Sequence, residues 1–458
     1  MDLLPKEMLL EIFQFLTSHD LLALTEVCST FNHLISSTEK LLDKIPITLH
    51  LSQSKVEAAK AVYPDISMLI IHGLKFGNRR YTKIFISEIK KEIAVKICEI
   101  LNVNVKELSF KRGSYEIETV RRILLACPNI KKIKFCRKSV KSEDVMVDGE
   151  LPKLNLENLY LENIGSQVFR VLRDSKVKNL ECTIGRRICQ HEFIPEELGH
   201  FLTLQNDLKS LKLERIAWNI NDMFEPDNLP KIKFNLTSLS LNDVLIDESQ
   251  IFTDFMRLHL ESLKKLELVR IEGFNFSQIL RQLNSIEELK SICTWLDIYK
   301  PLPNVNKLQI EYPHVIKMFP NLQQLTVSCA QFGPYQIHLW NEYFEQHDQL
   351  TTIEVGNLSL LNFPRIPTLK VLRLKNVERI YVEVFYENPQ IEELVIEKRE
   401  GFIMRYDYEV DFVSSRLPNL KLLEIVGGKV CRRYLDLAKK RCKNLKFLRL
   451  IDVDVVAN

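Results

Sequence analysis

The chain has 458 residues, 46% of them hydrophobic, enough to bury a sizeable core, and its 63 basic against 60 acidic residues leave a charge of +3, far from the surplus of a general nucleic-acid binder. The ten cysteines stand singly with no Cys-x-x-Cys pair, which excludes the usual zinc and redox frameworks. No stretch of about 18 apolar residues exists that could span a membrane, and the opening MDLLPKEML has no basic leader, so cytoplasm and/or nucleus is the expected compartment.

The segment from Leu4 to Leu34 reads as three short amphipathic helices. Behind Pro5, a favoured first-turn proline with Glu7 close by, Met8, Leu9, Ile12, Phe13 and Leu16 recur at helical spacing. A polar break from Thr17 to Asp20 supplies caps for a second helix carrying Leu21, Leu24, Thr25 and Cys28, and a third carries Phe31, Leu34 and Ile35. Three helices this short cannot bury all these aliphatics among themselves. They either cover the end of whatever follows or dock on a partner.

The order of these residues, Leu4-Pro5, Glu7, Ile12-Phe13, Leu16, Asp20-Leu21-Leu22, Val27-Cys28 and Phe31, resembles the F-box. The family often has tryptophan where Phe31 stands and basic residues near Ser29 and Thr30, so the end of this copy is slightly atypical. The resemblance implies docking on the Skp adaptor of cullin-RING ubiquitin ligases. By position it assigns the interface to Leu4, Pro5, Ile12, Leu16, Leu21, Leu24, Val27 and Phe31, some of which must instead hold the helices together. Residues 1–38 are accordingly expected to be the F-box. Residues 39–65 follow as a linker and starter strand, since Ile45, Ile47, Leu49 and Leu51 alternate at period two.

From residue 66 to 458 a pattern recurs: an aliphatic, two variable residues, an aliphatic, one variable and another aliphatic. Clear copies are Leu208-Leu211-Leu213, Leu236-Leu239-Leu241, Leu263-Leu266-Leu268, Leu369-Leu372-Leu374, Leu420-Leu423-Ile425 and Leu445-Leu448-Leu450. Looser ones start at Ile66, Val105, Ile130, Leu156, Val177, Ile286, Val305, Leu322, Leu350 and Ile391, giving about 16 irregular repeats. From Val105 to Leu445 the mean period is about 24 residues. Pro-Asn and similar turns, as in CPNIKKIKF and LPNLKLLEI, introduce many of them. In each short strand the aliphatics point inward and their neighbours outward, and stacking covers one repeat with the next.

The array resembles the leucine-rich repeat family, which implies a parallel concave sheet with outer helices and loops. The expected architecture is thus an α/β leucine-rich repeat solenoid preceded by a three-helix F-box. One departure is that the asparagine or cysteine often found shortly past the last leucine is replaced by Ile164, Ile216, Val244, Ile271, Val377 and Val453.

If the register holds, Ser109 and Lys134 face solvent early, Ser240 and Asn242 in the middle, and Val371, Arg373, Val395, Leu422, Val426, Phe447, Arg449 and Ile451 in the last four repeats. Apolar residues beside arginine are what a protein-binding hot spot contains, so these eight are the candidate target contacts on the concave face. Two basic stretches, Lys131 to Lys141 and Arg432 to Lys446, read as solvated outer surface; nucleic acid is not required.

No His-Glu-x-x-His, phosphate loop or serine-nucleophile motif appears, so no enzyme, metal or cofactor is expected. The combined resemblance implies the substrate-recognition subunit of an SCF ubiquitin ligase. Its adaptor would link it to the cullin and RING subunits, and its repeats would hold a protein target for ubiquitin-dependent degradation. The alternative is a non-degradative repeat scaffold or inhibitor.

Overall fold

The computed structural model describes residues 4–457 apart from 43, 51–80, 88, 114, 137–138, 141–148, 185–193, 217–218, 225–227, 248–249, 295, 297, 312, 329–343, 345–346, 357–364, 378–382 and 399–405. The repeat copy at Ile66 lies outside these residues. The chain forms two compact units: Met1–Leu236 with Asp243–Phe255, and Thr237–Asn242 with Met256–Asn458.

The first unit opens with helices α1 (Lys6–Gln14), α2 (Ser18–Val27) and α3 (Ser29–Ser37), then a single turn, α4 (Glu39–Leu42). Strands follow in parallel order: β1 (Ile47–His50), β2 (Lys83–Ser87), β3 (Glu107–Arg112), β4 (Lys132–Phe135), β5 (Asn155–Glu162), β6 (Lys176–Thr183) and β7 (Ser210–Glu214). Amphipathic helices Lys91–Leu101, Ile117–Ala126 and Pro195–Thr203 link them. Inward residues such as Leu108, Ile133, Leu159, Leu180 and Leu211 stack in register and are essentially inaccessible to solvent. Phe110 and Phe135 stack face to face at 4.8 Å between centroids in the same layers.

β8 (Ser238–Leu245) has residues 238–242 in the second unit. There β9 (Lys265–Glu272), β10 (Glu288–Ile292), β11 (Lys307–Ile310), β12 (Gln324–Ser328), β13 (Thr352–Gly356), β14 (Val371–Val377), β15 (Glu393–Lys398) and β16 (Leu422–Val426) pair in parallel. β17 (Lys429–Cys431) pairs outside this ladder with β19 (Asp454–Val456), while β18 (Phe447–Ile451) extends the ladder beside β16. Each inward aliphatic is worth about 1.5–3 kcal/mol when covered, and stacking supplies the cover that a lone repeat lacks.

Every motif copy from Val105 to Leu445 therefore falls on a strand. β2 adds a copy that the aliphatic template passes over, because Tyr81 fills the first slot ahead of Ile84 and Ile86.

The turn after each strand also repeats. Asn163, Arg215, Asp243, Arg270, Cys293, Asn376 and Asp452, each two positions past the last inward residue, have φ between 51° and 57°, and Gly427 at the same place has 70°. Asparagine, aspartate and glycine tolerate this left-handed conformation best. The next residue drops back inward: Ile164, Ile216, Val244 and Ile271 are buried. Apolar packing thus stands where the family often places a polar side chain.

Candidate functional site

The helical head closes around its own core. Leu9, Phe13, Leu21, Phe31, Leu34, Ile35, Leu41 and Ile45 are buried together, with Leu10, Leu16, Leu24 and Tyr81 packed against them. Phe13 meets Phe31 edge-on at 5.3 Å between centroids. The core thus reaches past residue 38 to Ile45. Pro5 caps α1, its carbonyl accepting from the Leu9 N–H at 3.2 Å. Thr17 and Asp20 form a reciprocal capping box at the start of α2, and the Thr17 hydroxyl holds the Asp20 carboxyl below its usual pKa. At α3 the Cys28 sulfur accepts from the Phe31 N–H at 3.5 Å. Lys44 reaches back to the Leu16 carbonyl at 3.3 Å and to that of Gln14, tying the last turn to the end of α1.

The eight residues that position alone assigns to the adaptor are divided by this packing. Leu4, Pro5, Ile12 and Val27 are exposed, and Leu16 and Leu24 are partly buried against the core. Leu21 and Phe31 are interior, so the structure corrects their assignment: they hold the helices together. Three exposed apolar side chains were not singled out as contacts: Met8, Phe15 and Leu22. Phe15 is 89% exposed. The spacing Met8, Ile12, Phe15 is i, i+4, i+7, a stripe on a different side of α1 from Leu9, Phe13 and Leu16.

All eight candidate target residues lie on the solvent side of the last strands. Register places Val371, Glu393, Leu422 and Phe447 in one row and Arg373, Val395, Glu424 and Arg449 in the next. Val426 and Ile451 sit beyond them. Glu393 and Glu424 therefore interrupt the apolar surface that a residue-by-residue reading joins up. Arg449 pairs with Glu424 at 3.5 Å and lies over the Phe447 ring at 6.0 Å. Phe447, Arg449 and Ile451 are exposed; the other five are half-buried. Two of the earlier solvent-side positions, Ser109 and Ser240, prove to be covered by their neighbours.

Upstream on the same face, charge alternates from strand to strand. Lys290 meets Glu267 at 2.5 Å and Lys307 meets Glu288 at 2.8 Å, around a depression of about 280 Å³ that Gln309, Gln324 and Thr326 also line. Opposite charges side by side favour this register over a slipped one.

Among the described residues no group of three or more histidine, cysteine or acidic side chains could hold a metal ion, and no helix is long and apolar enough to cross a membrane.

Residues 1–44 match the F-box-like family model. Solved structures similar to the chain include a leucine-rich repeat protein of Leptospira interrogans, at 15% identity over 85% of this chain and 93% of that one, with a TM-score of 0.38. An internalin of Listeria monocytogenes matches at 12% identity over 85% and 96%, TM-score 0.38. The mouse RP105/MD-1 complex matches at 12% over 82% and 72%, TM-score 0.46. No curated protein matches the sequence. The chain thus opens with a segment similar to the F-box-like family, whose helices close on their own core, and continues in parallel strands stacked at leucine spacing.

Proposed function

We propose that the chain is the substrate-recognition subunit of an SCF-type ubiquitin ligase. The observation that carries this reading is the apolar stripe Leu4, Met8, Ile12 and Phe15, left exposed on a segment that matches the F-box-like family while the same segment closes a core without it. Exposed apolar side chains of this size, grouped along α1 and the turns at its two ends, are what a protein interface is built on. The Skp adaptor covers them, with Leu22 and Val27 contributing from α2.

The repeats then hold a protein target on the solvent side of the last four strands, through Val371, Arg373, Val395, Leu422, Val426, Phe447, Arg449 and Ile451. Cullin and RING subunits reach the chain through the adaptor, ubiquitin transfer is their chemistry, and the complex works in cytoplasm or nucleus.

Co-elution of the purified chain with purified Skp adaptor tests the first step. A stable complex is expected, lost in Ile12→Asp with Phe15→Asp while helicity is kept. A variant that still co-elutes would overturn this docking surface, and absence of any complex would overturn the class. Lysine-linked ubiquitin on a captured partner then separates a ligase receptor from a non-degradative scaffold.

A further inference from the structure

On the solvent side of the strands, carboxylates are answered by cations from neighbouring strands. Glu181 pairs with Lys212 at 2.8 Å, Glu267 with Lys290 at 2.5 Å, Glu288 with Lys307 at 2.8 Å, Glu354 with Lys375 at 2.9 Å and Glu424 with Arg449 at 3.5 Å. β15 breaks this pattern. Its solvent-side positions are Glu393, Val395 and Glu397, and among the described residues neither carboxylate has a hydrogen bond or ion pair. Register supplies the reason. Val371 and Leu422 flank Glu393 in its row, and Val426 stands beside Glu397, so apolar side chains occupy places that lysines take upstream. Arg373 lies opposite Val395, diagonally from both acids, and among the described residues it pairs with neither.

Val371, Glu393, Val395, Glu397, Leu422 and Val426 are all half-buried, so each is reached by water in the free protein and by whatever seats itself on this face. A partner that covers the four apolar side chains also takes water from the two carboxylates between them. A carboxylate stripped of water without a cation is strongly disfavoured. The surface therefore rejects a neutral or acidic partner and accepts one that brings its own positive charge. The local balance has the same sign: with Glu354 held by Lys375 and Glu424 by Arg449, Arg373 against Glu393 and Glu397 leaves one negative charge. Glu393 and Glu397 are four residues apart on one strand, which sets their Cα atoms about 13 Å from each other.

We propose that this face selects an extended target segment of the pattern basic, any, apolar, any, basic, its two cations meeting Glu393 and Glu397 and its apolar side chain seated on Val395. Residues at i, i+2 and i+4 of an extended chain point to one side and span the same distance as the two acids. Apolar contact with Val371, Val395, Leu422 and Val426 supplies the covered area, and the two cations decide which segment fits. The inference rests on the reading that the repeats hold a protein target, and it supplies the chemistry of the segment they take.

The test uses the intact 458-residue chain and a fluorescein-labelled peptide reading arginine, serine, leucine, serine, arginine between glycine-serine ends, followed by anisotropy. Saturable binding is expected. It should weaken at least about tenfold in each of four comparisons: glutamate replacing both arginines, serine replacing the leucine, both arginines moved next to the leucine, and Glu393→Gln with Glu397→Gln in the protein. Glutamine keeps the shape of glutamate and breaks no ion pair among the described residues, so this variant keeps its fold by circular dichroism. Glu267→Gln, at a paired carboxylate on the solvent side of β9, should leave peptide binding unchanged. Equal binding by the Glu393→Gln, Glu397→Gln variant, an equal loss in Glu267→Gln, or absence of binding at about 1 mM peptide overturns the proposal. A target captured and ubiquitinated equally by the Glu393→Gln, Glu397→Gln variant removes this inference alone; peptide binding without adaptor co-elution removes the ligase reading alone.

Discussion

At Gly199 a side chain has nowhere to go: a Cβ there would collide with the Met223 backbone carbonyl, where the helix Pro195–Thr203 lies on the turn Ile220–Met223. Backbone cannot yield as a flexible side chain does, so Gly199→Ala should cost about 3 kcal/mol or more, read as a lowered urea midpoint; an unchanged midpoint would mean the two elements separate freely. His259 is a second such residue. Burial drives its pKa from 6.5 down to about 4, so the folded protein holds it neutral while the unfolded chain takes up a proton below about 6.5. The contribution of His259 to stability is therefore complete above pH 6.5 and lost as pH falls toward 4, on the order of 3 kcal/mol across that window. Melting temperatures of the protein and of His259→Gln, measured between those limits, should converge as pH falls; parallel curves would remove the histidine from the acid limb. Neither residue was legible in the sequence. A lone glycine or histidine carries no periodicity, and only tertiary contact gives it a role. The left-handed turn residues were half legible, since Asn163, Asp243 and Asn376 are natural there but Arg215, Arg270 and Cys293 are not.

At the scale of the element, α1 shows why the docking set could not be read from family position alone. A frame that spans a domain conserves core and contact residues together, and it therefore placed Leu21 and Phe31 beside Ile12. Helical phase does separate them, because Leu9 and Phe13 share one side and Met8, Ile12 and Phe15 another. Phe13→Ala should accordingly cost about 3–5 kcal/mol and loosen the head, whereas Phe15→Ala should change stability by less than about 0.5 kcal/mol while weakening adaptor co-elution. Thermal unfolding and co-elution measured on both variants check this; a destabilised Phe15→Ala would place that ring in the core. The strands were the most legible elements, since a period of two fixes which residues face inward. β2 escaped because Tyr81, packed against the core of the head, fills a slot where the template asks for an aliphatic.

Across the whole molecule, the two surfaces proposed for adaptor and target fall in different compact units: the exposed α1 stripe in the first and the last four repeats in the second. Each unit carries its own buried layers, so damage to one surface need not pass through the core of the other. Repeat arrays behave this way because stability is summed from neighbouring repeats rather than from one shared core. Leu422→Asp with Phe447→Asp places two carboxylates on the solvent side of adjacent strands, next to Glu393 and Glu424. Like charges then replace the apolar side chains between Glu393 and Glu424, without altering an inward residue. This pair should abolish target capture and leave adaptor co-elution intact, while Ile12→Asp with Phe15→Asp should do the reverse, both checked by proximity labelling and co-elution on the same preparations. Loss of both activities in either variant would mean that the two surfaces are coupled, and retention of target capture in the first would move the target away from the last repeats.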